Sequence, residues 1–343
     1  MLSTAAALQM RYLLLCPLPS GFQTGQPIVA NKPKDAPYFF DLEIELADGG
    51  QETIQIAETT VKIQIQVLDR QVWLADCRYA LTDAFGSAAF TRKCQIQNEL
   101  KAHYLAKLAE TTNLVEEYTI VLMQHTDESP DAFVNAYGLA LARLLRSHDR
   151  PLTFSEAQDT LISRISYSPH DLTIVDWDGA VIIDSEGDFD SDIELIKIGN
   201  FQLLRYRLLD AAIERSLQAL QKHLKRGRRW LPNLDNTLRS ILQQRITLLF
   251  DFEATDQSLL LIGDWYSAKI YRMIVDEFYL DDWHTAISHK LDNLESITEI
   301  VRQELTFSWN QLFDILEILG YFVLLIGYFL LFFVESGWLD LKH

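Results

Sequence analysis

The sequence predicts an α+β soluble region, followed by long α-helices that form a coiled-coil-like stalk, and one C-terminal transmembrane helix. Three observations carry this. The first eighty residues alternate apolar and polar at period two, nearly everything after Asp192 follows a helical period, and Ile318 to Val334 is seventeen residues without a charge. The expected divisions are 1–112, a β-rich region with one helix; 113–190, an α+β region; 191–311, long helices and stalk; 312–335, the membrane helix; and 336–343, a short tail.

Taken in order, Met10 to Leu18 reads as a first strand. It lacks the basic start and the long apolar run of a secretory signal. "FFDLEIEL", "ETIQIA", "TVKIQIQVL" and "QVWLADCRY" follow as strands, with a turn expected at Asp48-Gly49-Gly50. Residues 86–111 read as a helix and "EYTIVLMQH" as a strand. Pro130 opens a further helix, since proline suits the first helical turn. A short helix follows at Phe154 to Ile162. "LTIVDWDGAVIID" reads as two strands turning at Asp178-Gly179. Helices are expected at Asp192 to Lys225, Leu234 to Phe252 and Gln257 to Phe278. One last helix should run from about Asp282 into the membrane, because no Pro or Gly interrupts it before Gly320.

The apolar run spans roughly 25 Å at ~1.5 Å per residue, close to the ~30 Å of a hydrocarbon core if the helix starts near Leu312. Trp309 and Trp338 bracket it as interface aromatics do. Within it "GYFVLLIGYF" repeats Gly-Tyr-Phe at a seven-residue step. Gly320, Tyr321, Gly327 and Tyr328 therefore share nearly one face. Small residues on such a face allow another helix to approach closely in lipid. Upstream, Ile287, Leu291, Leu294, Thr298, Val301, Leu305, Ser308, Leu312, Ile315, Leu319 and Phe322 alternate steps of four and three, the pattern of a coiled-coil seam. A homo-oligomer is the expectation. The N-terminal bulk should lie on the cytoplasmic side, or the matrix side of a mitochondrial membrane.

Net charge is -18, which disfavours DNA binding through a basic surface. Against that balance, "KHLKRGRRW" places Lys222, Lys225, Arg226, Arg228 and Arg229 close together. These are candidates to dock on phosphates of lipid, RNA or a ribonucleoprotein partner; the alternative is a cationic helix C-terminus stopped at Gly227. The carboxylates Asp184, Asp188, Asp190 and Asp192, with Glu186 and Glu194, are weak metal candidates. A calcium loop needs Gly at its sixth position and Glu at its twelfth, and counting from Asp188 these are Ile193 and Gly199. The competing expectation is an acidic loop that caps the next helix. Cys16, Cys77 and Cys94 lack zinc or disulfide spacing. His284 and His289 are five apart, not the four of a zinc pair. No phosphate-cradling loop or nucleophile elbow is present, and no cofactor is expected.

"DLTIVDWDGAVIIDSEGDFDSDIELIKIGNFQLLRYRLLD" and "GDWYSAKIYRMIVDEFYLDDWHTAISHKLDNLESITEIVRQEL", with the closing hydrophobic helix, resemble the family named for "required for meiotic nuclear division", in its bacterial-type form. The resemblance covers roughly residues 110–335. It implies a membrane-anchored, oligomeric protein; mitochondrial members are linked to inner-membrane organisation and support of translation. Here "ILEILGYF" with acidic flanks stands where the family usually has a Leu-Glu-Trp run after basic residues.

The leading expectation is a membrane-anchored oligomeric scaffold or tether without catalysis. One alternative is a cation channel or transporter subunit of the stalk-helix type, in which Glu317 and Glu335 would form carboxylate rings. That plan uses two membrane helices and a Gly-Met-Asn signature, and neither is found. The other alternative is a metal-dependent enzyme using residues 184–194.

Overall fold

The computed structural model describes residues 8–19, 22, 25–26, 44–86, 88–108, 114–124, 129–146, 150–225, 243, 246, 250 and 265–335. The strands are β1 (Leu8–Pro17), β2 (Leu46–Ile56), β3 (Thr59–Leu68), β4 (Val72–Leu81), β5 (Glu116–Gln124), β6 (Arg164–Ile165), β7 (Leu172–Val175) and β8 (Gly179–Asp184). The helices are α1 (Ala89–Leu108), α2 (Pro130–Leu145), α3 (Phe154–Thr160), α4 (Asp190–Lys225), α5 (Trp265–Glu277) and α6 (Leu280–Glu335). The chain divides into two units, residues 1–216 with 244–287, and residues 217–243 with 288–343.

The first unit is built on one eight-stranded sheet of order β2-β3-β4-β1-β5-β8-β7-β6. All its pairings are antiparallel except β5 with β8. β1 pairs with β4 on one side and β5 on the other, with Arg11 opposite both Arg78 and Ile120. The regions expected to divide at residue 112 therefore share one sheet.

Helices cover both faces. Met10, Tyr12, Leu14 and Cys16 join a core with Ile96, Leu100 and Tyr104 of α1 and Phe133 and Leu141 of α2. Leu13 and Leu15 join the opposite core, with Ile193, Ile196 and Phe201 of α4 and Ile270 and Ile274 of α5. A central strand with two buried faces cannot alternate in polarity, which explains the unbroken "YLLLC". β2 and β3 lie beyond the second helical layer and do alternate. Ile63 and Ile65 are buried, while Lys62 is exposed and Gln64 partly so.

The turn expected at Asp48-Gly49-Gly50 is instead a bulge inside β2, where the register shifts between Asp48 and Gly50. Gly50 takes φ +101, and a Cβ on Gly49 would fall 2.3 Å from Ile65 Cγ2. The β2–β3 hairpin turns at Ala57 and Glu58, both in the left-handed region at φ 46 and 64. Neither is the Gly or Asn that announces such a turn. "FFDLEIEL" contributes only Leu46 to β2; residues 39–43 lie outside the described residues.

Asp178-Gly179 does form the β7–β8 turn, closed by Asp176 N–H to Gly179 O at 2.9 Å. Ser129 caps α2 by accepting from Ala132 N–H at 3.3 Å. Thr153 and Glu156 form a reciprocal capping box on α3. Of the expected helix Leu234 to Phe252, only residues 243, 246 and 250 are described, and they are helical. Residues 257–264 of the next expected helix also lie outside.

α4 and α5 meet at Gly199, where a Cβ would stand 2.3 Å from Ile274 Cγ2 and 3.2 Å from Phe278 Cε2. Gly199→Ala is expected to destabilise the full chain by about 1–3 kcal/mol, as overpacking a close core does. Chemical denaturation in detergent, read by loss of near-ultraviolet dichroism, measures it.

Candidate functional site

α6 is one continuous helix of 56 residues. Its part from Phe313 to Phe332, 20 residues, is long and apolar enough to cross a membrane, and none of it is buried. Exposure of its large side chains runs from 47% at Ile326 to 74% at Tyr328. Twenty helical residues extend ~30 Å, the thickness of a hydrocarbon core. A Cβ on Gly320 or Gly327 would meet no atom within 4 Å, and Tyr321 and Tyr328 are exposed beside them. Upstream, Ile287, Leu291 and Leu294 are buried within the single chain. This first part of the heptad seam is therefore already covered, and no long coiled-coil stalk is shown among the described residues. The side chains of 298–312 lie outside the described residues.

Four of the six carboxylates in the acidic loop meet the protein's own groups. Asp184 Oδ1 accepts from the amides of Glu186, Gly187 and Asp188 at 2.7, 2.6 and 3.0 Å. Asp190 stands 3.5 Å from Arg11 Nη2. Glu194 pairs with Lys197 at 2.8 Å. Asp192 is buried and accepts from the Thr173 hydroxyl. Burial, with Asp171, Asp184 and Asp188 nearby, raises its carboxyl to about 6, against the lowering effect of the Thr173 bond. Among the described residues, no three His, Cys, Asp or Glu converge as metal ligands. Of the basic run, Lys222 and Lys225 belong to the last turns of α4, and Arg226, Arg228 and Arg229 lie outside the described residues.

Two buried polar clusters escape a sequence reading. In the first, Asp76 on β4 is fully buried, and its Oδ2 receives Arg11 Nη1 at 3.2 Å, Arg78 Nη2 at 3.1 Å and Lys197 Nζ at 3.1 Å. Desolvation alone would raise this carboxyl, but Lys197, Arg11 and Arg78 outweigh it and hold it below the ordinary value. The cluster ties β1, β4 and α4 together. Its one sequence signal is an acid in "VWLADCRY", at a position the strand period turns toward the second core.

The second cluster lies where α2 ends against the β7–β8 turn. Lys93 of α1 is fully buried and donates to Arg146 O at 2.7 Å; burial pushes its amine down to about 8. Arg146 donates to Thr160 Oγ1 at 2.7 Å and stands 4.0 Å from Asp176 Oδ2. Asp176 is raised to about 6, first by burial, with Arg146 opposing and Asp178 and Glu277 adding to the rise.

Residues 47–190 match the family described as "Uncharacterized protein MJ0711, N-terminal domain". That stretch runs from β2 to the first residue of α4. The chain is also 24% identical over 262 residues to "Uncharacterized protein MJ0711" of Methanocaldococcus jannaschii, covering 76% of this chain and 79% of the relative. No solved structure matches.

Removing Asp76 leaves buried cations without their counter-charge. Asp76→Ala is expected to cost about 3–5 kcal/mol, read as a fall in unfolding midpoint in detergent. Asp192 acts with the opposite sign. Its folded pKa lies above the unfolded one, so its stabilising contribution is complete below about 3.9 and lost as pH rises through about 6. Asp192→Asn keeps an acceptor for Thr173. It is expected to raise stability at pH 7.5 by on the order of 2 kcal/mol and to flatten the slope between pH 4 and 6 in denaturation curves.

Proposed function

We propose that the protein is a membrane-anchored scaffold or tether that holds its α/β unit at a membrane surface. The observation that carries this reading is the 20-residue apolar span Phe313–Phe332, wholly unburied, at the end of a helix whose first turns contribute buried residues such as Leu280 and Ile287. A soluble protein in water has no use for that much contiguous apolar surface. In a bilayer the same surface is solvated and every backbone group is satisfied within the helix. The bulk preceding the span lies on the side of synthesis, and Gly320 and Gly327 form the face on which copies pack as a homo-oligomer. Lys222, Lys225, Arg226, Arg228 and Arg229 supply a docking surface for a phosphate-bearing partner. The resemblance to the meiotic nuclear division family points the same way.

Arg at the centre of a spanning helix costs ~2.5–3.5 kcal/mol per residue. The unaltered full chain should resist alkaline carbonate extraction, and the double change Leu324→Arg with Leu325→Arg should release it. Recovery of the unaltered chain in the carbonate supernatant would overturn the anchor. For assembly, the mass of the detergent-solubilised chain by light scattering should fall when Gly320 and Gly327 are both changed to Leu. A monomer before and after the change removes the oligomer while leaving the anchor standing.

A further inference from the structure

Three buried side-chain atoms among the described residues have no hydrogen-bond partner, and two of them, Asp176 Oδ2 and Arg146 Nε, belong to one cluster. They are of opposite kind. The carboxylate oxygen accepts and the guanidinium N–H donates. Arg146 Nη1 stands 4.0 Å from the same Asp176 oxygen, beyond the reach of a direct hydrogen bond.

Other bonds hold each residue where it stands. Arg146 ends α2, where its amide donates to Ala142 O at 3.3 Å. Its Nη2 donates to Thr160 Oγ1 at 2.7 Å, and its carbonyl accepts from the buried Lys93 amine at 2.7 Å. Asp176 opens the β7–β8 turn. Its amide donates to Gly179 O at 2.9 Å, and its carbonyl accepts from the Tyr118 hydroxyl at 2.9 Å. Backbone and guanidinium are thus clamped on one side and backbone on the other. A carboxylate on a single methylene has little reach left with which to close the pair.

A buried polar atom without a partner carries the full cost of its lost hydration, and nearly all such atoms in folded proteins are satisfied. Whatever completes this pair must donate to Oδ2 and accept from Nε at once. Asp176 repels an anion there, and Arg146 repels a cation. A polar separation just past direct bonding is the span that one water bridges, and a buried water requires two to four polar partners.

We propose that Asp176 and Arg146 form a binding site for one ordered water, which donates to Asp176 Oδ2 and accepts from Arg146 Nε. The water is a structural joint. Through it the end of α2, tied by Lys93 to α1 and by Thr160 to α3, is fastened to the β7–β8 turn, which Tyr118 ties to β5.

The test is a crystal structure of the detergent-solubilised full chain at a resolution that shows ordered water. One density peak is expected within about 2.6–3.2 Å of both atoms, with the Nη1–Oδ2 separation unchanged. In Asp176→Leu the peak should be lost while Arg146 keeps its bond to Thr160. In solution, oxygen-17 relaxation dispersion should count about one long-lived water fewer in that variant. Closure into a direct ion pair, no peak in the unaltered chain, or a peak retained in Asp176→Leu overturns the site. So does an unchanged count of long-lived waters. Should Asp176→Leu fail to fold, the unaltered chain decides alone, through the peak and its two distances.

Discussion

Everything in the first unit depends on β1 being wanted from four sides. It exchanges backbone hydrogen bonds with β4 and β5, and its two faces fill two separate cores. The β2–β3–β4 meander and the β5–β8 half of the sheet meet only through this strand. A strand so placed cannot slip by one residue without exchanging its whole set of side chains between the two cores. The apolar density of "RYLLLC" is therefore a consequence of position. It also explains why the helices divide as they do, with α1 to α3 on one face and α4 and α5 on the other.

The one charge that β1 sends into the second core is Arg11, and it survives there because β4 places Asp76 diagonally across from it, two residues from the Arg78 that lies opposite. Lys197 then reaches the same carboxylate oxygen from α4. Three cations on one buried acid fix the angle at which α4 leaves the sheet more sharply than apolar packing would. Packed methyl groups tolerate small rotations, and a converging set of charged hydrogen bonds does not. Such a cluster adds specificity more surely than it adds stability.

Periodicity made most strands and helices legible, and turn chemistry accounts for most of the misses. Asp178-Gly179 carries a recognisable hairpin signal and forms one. Asp48-Gly49-Gly50 carries an equally strong signal and forms a bulge, because Ile65 on the neighbouring strand admits only glycine alongside it. Ala57-Glu58 carries no signal and turns because the strands on either side demand it. The apolar span was legible as well, since an uninterrupted run of uncharged residues is read directly from the chain. Asp76, Lys93 and Asp176 were not. Each is a single polar residue in an otherwise ordinary element, given meaning by partners 30 to 121 positions away. Density of acids along the chain says nothing of convergence in space: Asp184 turns to backbone amides, Asp192 to a hydroxyl, and Asp190 and Glu194 to basic partners.

The outer strands of the sheet carry a consequence of their own. One margin ends in β6, two residues long, too short to recruit another chain. The other ends in β2, 11 residues, long enough to serve as a template for intermolecular pairing. Its bulge at Asp48 interrupts that template near one end, and there the backbone of Asp48 is already bonded to Gly25 and Gln26 at 3.1 Å each. The extra residue in β2 thus acts as a guard on the margin. It bends the strand out of a straight ladder and hands its spare hydrogen bonds to the protein's own chain. A blunted margin keeps copies of the chain from joining sheet to sheet wherever they meet at high local concentration.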